Sequence, residues 1–268
     1  MDMAYFEHGG VRIHYEVKGQ GEPFFFLHGL GGSIAQVTNT LQGLKGFACI
    51  FQDQRGHGDS SLGNEEELSY ETLAKDVLLL ADHLGIDTPF AVGGISMGAA
   101  VSLKVAQLYP EAIKKLVLVR PALKRGRTPQ PIPRWYDAFA RYLQNRDPNG
   151  FFSSAVFGEI QREAPLLAET FKRLSTQEDS LLYPGKYRII PDLPLVDDMR
   201  ELERVQTPTL ILANHYDKVH AFEYGIELFE VLPHSRFFEV ISKAVDPLAH
   251  CREVTMRIQE FLAQDTSV

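Results

Sequence analysis

Short apolar runs recur along the chain at the spacing of alternating strands and helices. Phe24 to Leu27, Ala48 to Phe51, Phe90 to Val92 and Leu116 to Val119 are each continuous in apolar residues, the pattern of strands covered on both faces in a parallel sheet. Val11 to Val17 instead alternates apolar and polar positions, and the Gly9-Gly10 pair before it suits a hairpin turn, so an antiparallel pair is expected at the start. Ser69 can cap a helix in which Leu73, Val77, Leu80 and Leu84 recur at helical spacing before Gly85 ends it. Thr209 to Ala213 and Arg236 to Ile241 supply two later strands, and Val254, Ile258, Phe261 and Leu262 mark a closing helix. Strand and helix alternate as in an α/β fold, a doubly wound and mostly parallel sheet.

Residues 121–204 break this rhythm. Prolines at 129, 131 and 133 precede helical stretches rich in aromatics, among them Trp135, Tyr136, Phe139 and Tyr142. The pattern predicts a helical cap over 121–204 inserted into a core domain formed by 1–120 and 205–268. Many of the aromatics would fill the cap's own small core. Trp135, the sole tryptophan, is the residue expected to face a binding pocket under the cap and touch substrate.

The chemistry begins at Gly94-Ile95-Ser96-Met97-Gly98, a G-x-S-x-G segment set between the strand Phe90 to Val92 and a helix from Ala99 to Tyr109. A serine on so sharp a strand-to-helix turn adopts strained backbone, and Gly94 and Gly98 remove the side chains that would clash there. The helix that follows aims its positive N-terminal end at the reacting centre. His28-Gly29-Leu30-Gly31-Gly32, after an earlier strand, is placed to supply a second backbone donor, so the amides of Leu30 and Met97 are the expected oxyanion hole. A phosphate-cradling reading of this loop is weaker, because Ile34 stands where a third glycine would be needed and no Gly-Lys-Ser/Thr follows.

With Asp53-Gln54-Arg55-Gly56-His57-Gly58-Asp59-Ser60 after the next strand, these motifs resemble those of the α/β-hydrolase family over nearly the whole chain. The resemblance implies a serine hydrolase whose triad runs Ser, acid, His in chain order, with Asp53 and Arg55 architectural. Asp217, after the strand Thr209 to Ala213, fits the acid; His250, beyond the last strand, fits the base that takes the Ser96 proton. The chain departs from the family's Gly-His pair soon after the final strand, carrying Ser242-Lys243-Ala244-Val245-Asp246-Pro247-Leu248-Ala249-His250 there instead. Asp246 and Pro247 can open a helix that puts His250 one turn before Val254 on an inward face, as a neutral base near a helix N-terminus. The alternative is that His250 is a hydrogen-bonded core residue and that His220 reaches Ser96, although three residues give His220 little freedom to be oriented by Asp217. His215, Asp217 and His220 could be imagined as metal ligands, but no fourth ligand is identifiable, and the expected chemistry needs neither metal nor organic cofactor.

The expected reaction is hydrolysis of a carboxylic ester or related small-molecule acyl substrate through an acyl-enzyme on Ser96. Related members that resemble this chain include lactonases, carbon-carbon bond hydrolases and cofactor-free peroxidases, and a non-enzymatic small-ligand receptor would keep the same pocket. Ser96 at the elbow argues against members with an aspartate nucleophile, the haloalkane dehalogenases and epoxide hydrolases. A net charge of -8 disfavours nucleic acid as a partner. Two cysteines, Cys49 and Cys251, suggest neither a disulfide framework nor a zinc site. No basic segment followed by an apolar run opens the sequence, and no apolar stretch approaches the roughly 20 residues of a membrane helix, so a cytoplasmic protein without membrane contact is expected.

Overall fold

The computed structural model describes residues 4–87, 89–122 and 130–264. Its strands are β1 (Ala4–His8), β2 (Val11–Gly19), β3 (Glu22–Leu27), β4 (Phe47–Gln52), β5 (Phe90–Ile95), β6 (Ile113–Val119), β7 (Thr209–Ala213) and β8 (Ser235–Glu239). They form one sheet in the order β1-β2-β4-β3-β5-β6-β7-β8. β1, β2 and β4 pair antiparallel in succession, and every pair from β4 to β8 is parallel. The apolar runs lie at the centre because both faces are covered: Phe24, Phe25, Phe26 and Leu27 are all fully buried.

Around the sheet lie α1 (Ile34–Thr40), α2 (Tyr70–His83), α3 (Met97–Leu108), α10 (Phe222–Val231) and α11 (Pro247–Leu262). The apolar sides of α2, α3 and α10 join one core with Phe25, Leu27 and Val92; α1 and α11 join a second core with Phe24, Phe26 and Ala91. Alternate residues of each strand therefore feed opposite layers, the arrangement of a doubly wound fold. Strand order reverses between β3 and β5, and the crevice beyond their carboxyl ends is where ligands bind in such sheets.

Between β6 and β7 come α4 (Ile132–Gln144), α5 (Pro148–Phe152), α6 (Ala155–Glu163), α7 (Pro165–Leu174), α8 (Glu178–Leu182) and α9 (Lys186–Ile189). These helices have a core of their own, built from Trp135, Phe139, Phe151, Phe157, Phe171 and Tyr187, with the rings of Phe139 and Phe171 stacked at 4.4 Å. From Ile190 onward the chain returns to the main body, where Ile190, Leu195, Val196 and Leu202 pack with the α2–α3 layer. Pro129, the first of the three prolines, lies outside the described residues. Among the described residues no helix is long and apolar enough to cross a membrane.

Lys186 ties the helical layer to the sheet. Its side chain is fully buried, pairs with Asp179 and donates to the Gly56 carbonyl in the loop after β4. Removing one partner of a buried pair strands the other charge without water, which costs more than the pair itself contributes. Lys186→Met should therefore lower stability by about 3 kcal/mol, and Lys186→Met with Asp179→Leu should recover much of that loss, as read from denaturant unfolding followed by circular dichroism.

Candidate active site

Ser96 joins β5 to α3 with φ 57° and ψ −113°, the strained turn that the glycine pattern predicts. The need for glycine is steric. A Cβ on Gly94 would stand 2.5 Å from the Gly98 carbonyl carbon, and one on Gly98 only 2.2 Å from the Leu27 oxygen. The turn is held by the Ser96 amide donating to Val119 O at 3.0 Å, while Ser96 O accepts from Ala100 at 3.1 Å. Gly29 brings the loop after β3 against the elbow; a Cβ there would lie 3.2 Å from that of Ser96.

His220 is the histidine that meets the serine. Its Nε2 lies 2.8 Å from Ser96 Oγ, and its Nδ1 lies 2.9 Å from Asp217 Oδ2. The three-residue separation is made workable by the carboxylate itself. Asp217 Oδ1 accepts the backbone N–H groups of Val219 and His220 at 3.1 and 3.2 Å, closing an Asx-type turn that swings the imidazole back over Oδ2. Tyr216, with φ 64°, reverses the chain immediately before it.

The assignment of the base to His250 is corrected by this geometry. His250 is buried and faces inward as the helical stripe requires, but its Nδ1–H donates to Ile241 O at 2.7 Å, and among the described residues it bonds neither Ser96 nor Asp217. β8 ends at Glu239, so the next residues lead into the start of α11, where the Asp246 carboxylate caps the first turn. The Val254 and Ile258 stripe then docks α11 on the sheet's flank and carries His250 with it. The Trp135 expectation is corrected likewise. Trp135 is fully buried in the helical layer, with Nε1–H donated to Glu159 at 3.0 Å, because its ring completes that layer's core; its neighbour Tyr136 lines the cavity instead. Leu30 lies in the loop beside Ser96, and Met97 is the first residue of α3.

Four adjacent strands deliver the site's functional groups from their carboxyl ends. Ser96 follows β5, Arg120 follows β6, Asp217 and His220 follow β7, and Lys243 follows β8. Arg120, in left-handed backbone at φ 49°, pairs with Asp217 and brings Nη2 within 3.1 Å of His220 Nδ1. A guanidinium only donates and an ionised carboxylate only accepts, so the two neighbours ask for opposite tautomers of His220. Arg120 already has Asp217 as acceptor. The imidazole therefore gives its Nδ1–H to the carboxylate and leaves Nε2 free to accept from Ser96 Oγ–H.

Burial and the Arg120 charge push His220 below the ordinary imidazole range, against the opposing pull of Asp217. Burial alone would raise the Asp217 carboxyl, but the charges and hydrogen bonds of His220 and Arg120 outweigh it and hold the acid well below the usual carboxylate range. At neutral pH the site thus holds a carboxylate, a neutral imidazole and a hydroxyl. These line a cavity of about 340 Å³ with Tyr136, Leu167 and Arg173 from the helical layer, and a narrow apolar crevice of about 40 Å³ opens beside Ser96 between Met97 and Ile132.

The polar residues around this centre bond one another and the backbone. His28 accepts the Gln54 amide at Nε2 and gives Nδ1–H to the Gly29 carbonyl, each at 2.8 Å, so it locks the loop that faces the elbow. Asp53 receives the Ile34 and Asp59 amides and pairs with His14, while Arg55 grips Asp76 through Nε and Nη2. His14, Asp53 and Asp59 form the one grouping among the described residues whose ligand atoms could surround a metal ion, but the Asp53 oxygens are already committed to those amides. Arg120, Arg173, Lys243 and Tyr136 escape sequence reasoning because they are distant in the chain and belong to no motif.

Comparison with known proteins places the fold. The model of the alpha/beta hydrolase fold family matches residues 22–244. A relative bearing the name carbamate hydrolase RutD, from Pseudomonas savastanoi pv. phaseolicola, is 29% identical over 215 residues, covering 78% of this chain and 80% of the relative. Among solved structures, an enol-lactonase from Burkholderia xenovorans superposes with TM-score 0.78 at 21% identity, over 97% of this chain and 100% of that one. A thermophilic esterase from Thermogutta terrifontis gives TM-score 0.77 at 22% identity over 98% of each chain.

The charge balance at His220 has a measurable consequence. In the wild type its imidazole should titrate below 6.5, the ordinary histidine value. Arg120→Met removes the repelling cation and leaves Asp217 undivided, so the midpoint should rise; histidine resonances followed by NMR across the pH range check both the position and the sign.

Proposed function

This chain belongs to the α/β-hydrolase fold family, and we propose that it is a serine hydrolase cleaving a carboxylic ester, or a related acyl substrate such as a lactone, through an acyl-enzyme on Ser96. The observation that carries this reading is the continuous path Ser96 Oγ, His220 Nε2, His220 Nδ1, Asp217 Oδ2, with steps of 2.8 and 2.9 Å at its two ends. Hydrogen-bond reach between nucleophile and base, and between base and orienting carboxylate, is what acyl transfer requires.

In this mechanism Ser96 Oγ attacks the substrate carbonyl as its proton passes to His220 Nε2. Asp217 holds the imidazole's tautomer and stabilises the imidazolium that forms. The carbonyl oxygen, now an oxyanion, is received by the amides of Leu30 and Met97, with the N-terminal end of α3 adding positive partial charge. His220 returns the proton to the departing alkoxide, the C–O bond breaks, and the acyl group remains on Ser96. Water then attacks the acyl-enzyme, giving its proton to His220, and collapse releases the acid and restores the serine hydroxyl. The net reaction is ester plus water to acid plus alcohol.

Helices α4 to α9 act in this reading as a cap whose Tyr136, Leu167 and Arg173 roof the cavity and select the substrate. Kinetics separate the two histidines. Ser96→Ala should abolish labelling by a fluorophosphonate, His220→Ala should slow acylation by p-nitrophenyl esters roughly a thousandfold, and His250→Ala should retain most of the acylation rate in whatever fraction stays folded. Labelling of Ser96→Ala, or collapse of acylation in folded His250→Ala with His220→Ala active, overturns the assignment.

A further inference from the structure

The cavity that holds Ser96 is unusually rich in cations for a chain of net charge -8. Arg120, Arg173 and Lys243 all line it, supplied by the end of β6, by α7 and by the stretch after β8. Two carboxylates share the lining, Asp217 and Glu169. Asp217 is engaged by Arg120 and His220, and Glu169 pairs at 2.7 Å with Lys172, itself an exposed residue of α7. Arg173 reaches only the Gly31 carbonyl, through Nη1 at 3.4 Å, and among the described residues neither Arg173 nor Lys243 forms an ion pair. The cavity therefore presents two positive side chains that have no ion-pair partner among the described residues, both exposed to solvent and brought from different elements to the lining that includes Ser96.

Resting on the hydrolase reading above, we infer that the substrate carries a carboxylate, seated against Arg173 and Lys243 while its scissile ester or lactone carbonyl lies over Ser96. Like charges held on separate elements repel one another, and a bound anion relieves that repulsion while gaining charge-assisted hydrogen bonds. Partial burial of the ammonium, and then the Arg120 and Arg173 guanidinium groups, push Lys243 below its usual range against the pull of Asp217, although the residue as a whole is exposed. The Tyr136 phenol, raised by burial, stays protonated and adds a neutral donor on the same wall. Adjoining the cavity at Ser96 and Tyr136, which line both, the crevice of about 40 Å³ is walled by Met97, Ala100, Ile132 and Pro191 and carries no charged side chain. It suits a small apolar substituent, so the two lobes distinguish the ends of the substrate by polarity.

The test pairs turnover with binding. Mono-p-nitrophenyl adipate carries its carboxylate on the acyl side and 4-acetoxybenzoate on the alcohol side; p-nitrophenyl hexanoate and phenyl acetate are their uncharged counterparts. At low ionic strength at least one anionic ester should exceed its counterpart in kcat/KM by about tenfold or more, and the ratio should fall at least tenfold in Arg173→Gln with Lys243→Gln. Added salt should erode the preference. Independently of turnover, adipate should bind Ser96→Ala protein saturably in calorimetry, and about tenfold more weakly once both cations are replaced. Equal ratios in wild type and double variant, or adipate binding that is absent or indifferent to the two substitutions, overturns the inference. If adipate binds as expected but a fluorophosphonate leaves Ser96 unlabelled, the anion site stands and the hydrolase reading falls. Labelling of Ser96 without any anion preference leaves the hydrolase reading in place and removes the anion site.

Discussion

One carboxylate, Asp217, organises the site, because its two oxygens do two different jobs. Oδ1 accepts two backbone amides and folds residues 217–220 into a turn; Oδ2 receives the imidazole that this turn brings round. Carboxylate and imidazole thus come from the same loop, and their relative position is set locally by a turn of four residues. Ser96 is positioned separately, by the strained elbow after β5. The sheet order β5-β6-β7 brings the two into register, so the Ser96 to His220 contact depends on the spacing of neighbouring strand ends. Without the Oδ1 turn, three residues of loop would have no reason to present Nε2 toward Ser96.

Arg120 makes the arrangement electrostatically distinctive. Its guanidinium shares the Asp217 carboxylate with His220, which keeps the carboxylate ionised and satisfied. Burial is the main influence that lowers the His220 imidazole, and the guanidinium adds to it by weakening the field that would stabilise an imidazolium. A neutral imidazole is the form able to accept a proton, and the counter-effect is a less stabilised cation once it has done so.

The sheet and the elbow are legible in the sequence because local rules decide them. Buried parallel strands must be apolar on both faces, and the G-x-S-x-G spacing announces the tight strand-to-helix turn, although the atoms that Gly94 and Gly98 must clear include the Leu27 backbone from the neighbouring strand. Asp217 is legible for the same reason, lying in a turn at the end of a readable strand. His250 misleads because two correct local inferences, a helix capped by Asp246 and an inward-facing stripe, say that it is buried without saying against what. Its donation to Ile241 O depends on where β8 stops, two residues earlier than the apolar run suggests. His220, the alternative that the sequence offers, is preferred only once Asp217 is seen to close an Asx turn behind a left-handed Tyr216. Arg120 and Lys243 are invisible locally, since their meeting is a product of strand order. Trp135 is a reminder that the largest aromatic of a helical layer is usually needed for that layer's own core.

The tautomer of His220 in the free protein tests the arrangement most directly. Long-range nitrogen–proton correlation spectra of protein carrying ¹⁵N-labelled histidine, assigned by His220→Gln, distinguish the ring nitrogen that bears the proton. With Asp217 governing the imidazole, Nδ1 carries the proton at neutral pH and Nε2 is bare, ready to accept from Ser96. A proton on Nε2 and none on Nδ1, meaning that Arg120 rather than Asp217 governs the ring, would contradict His220 as the base.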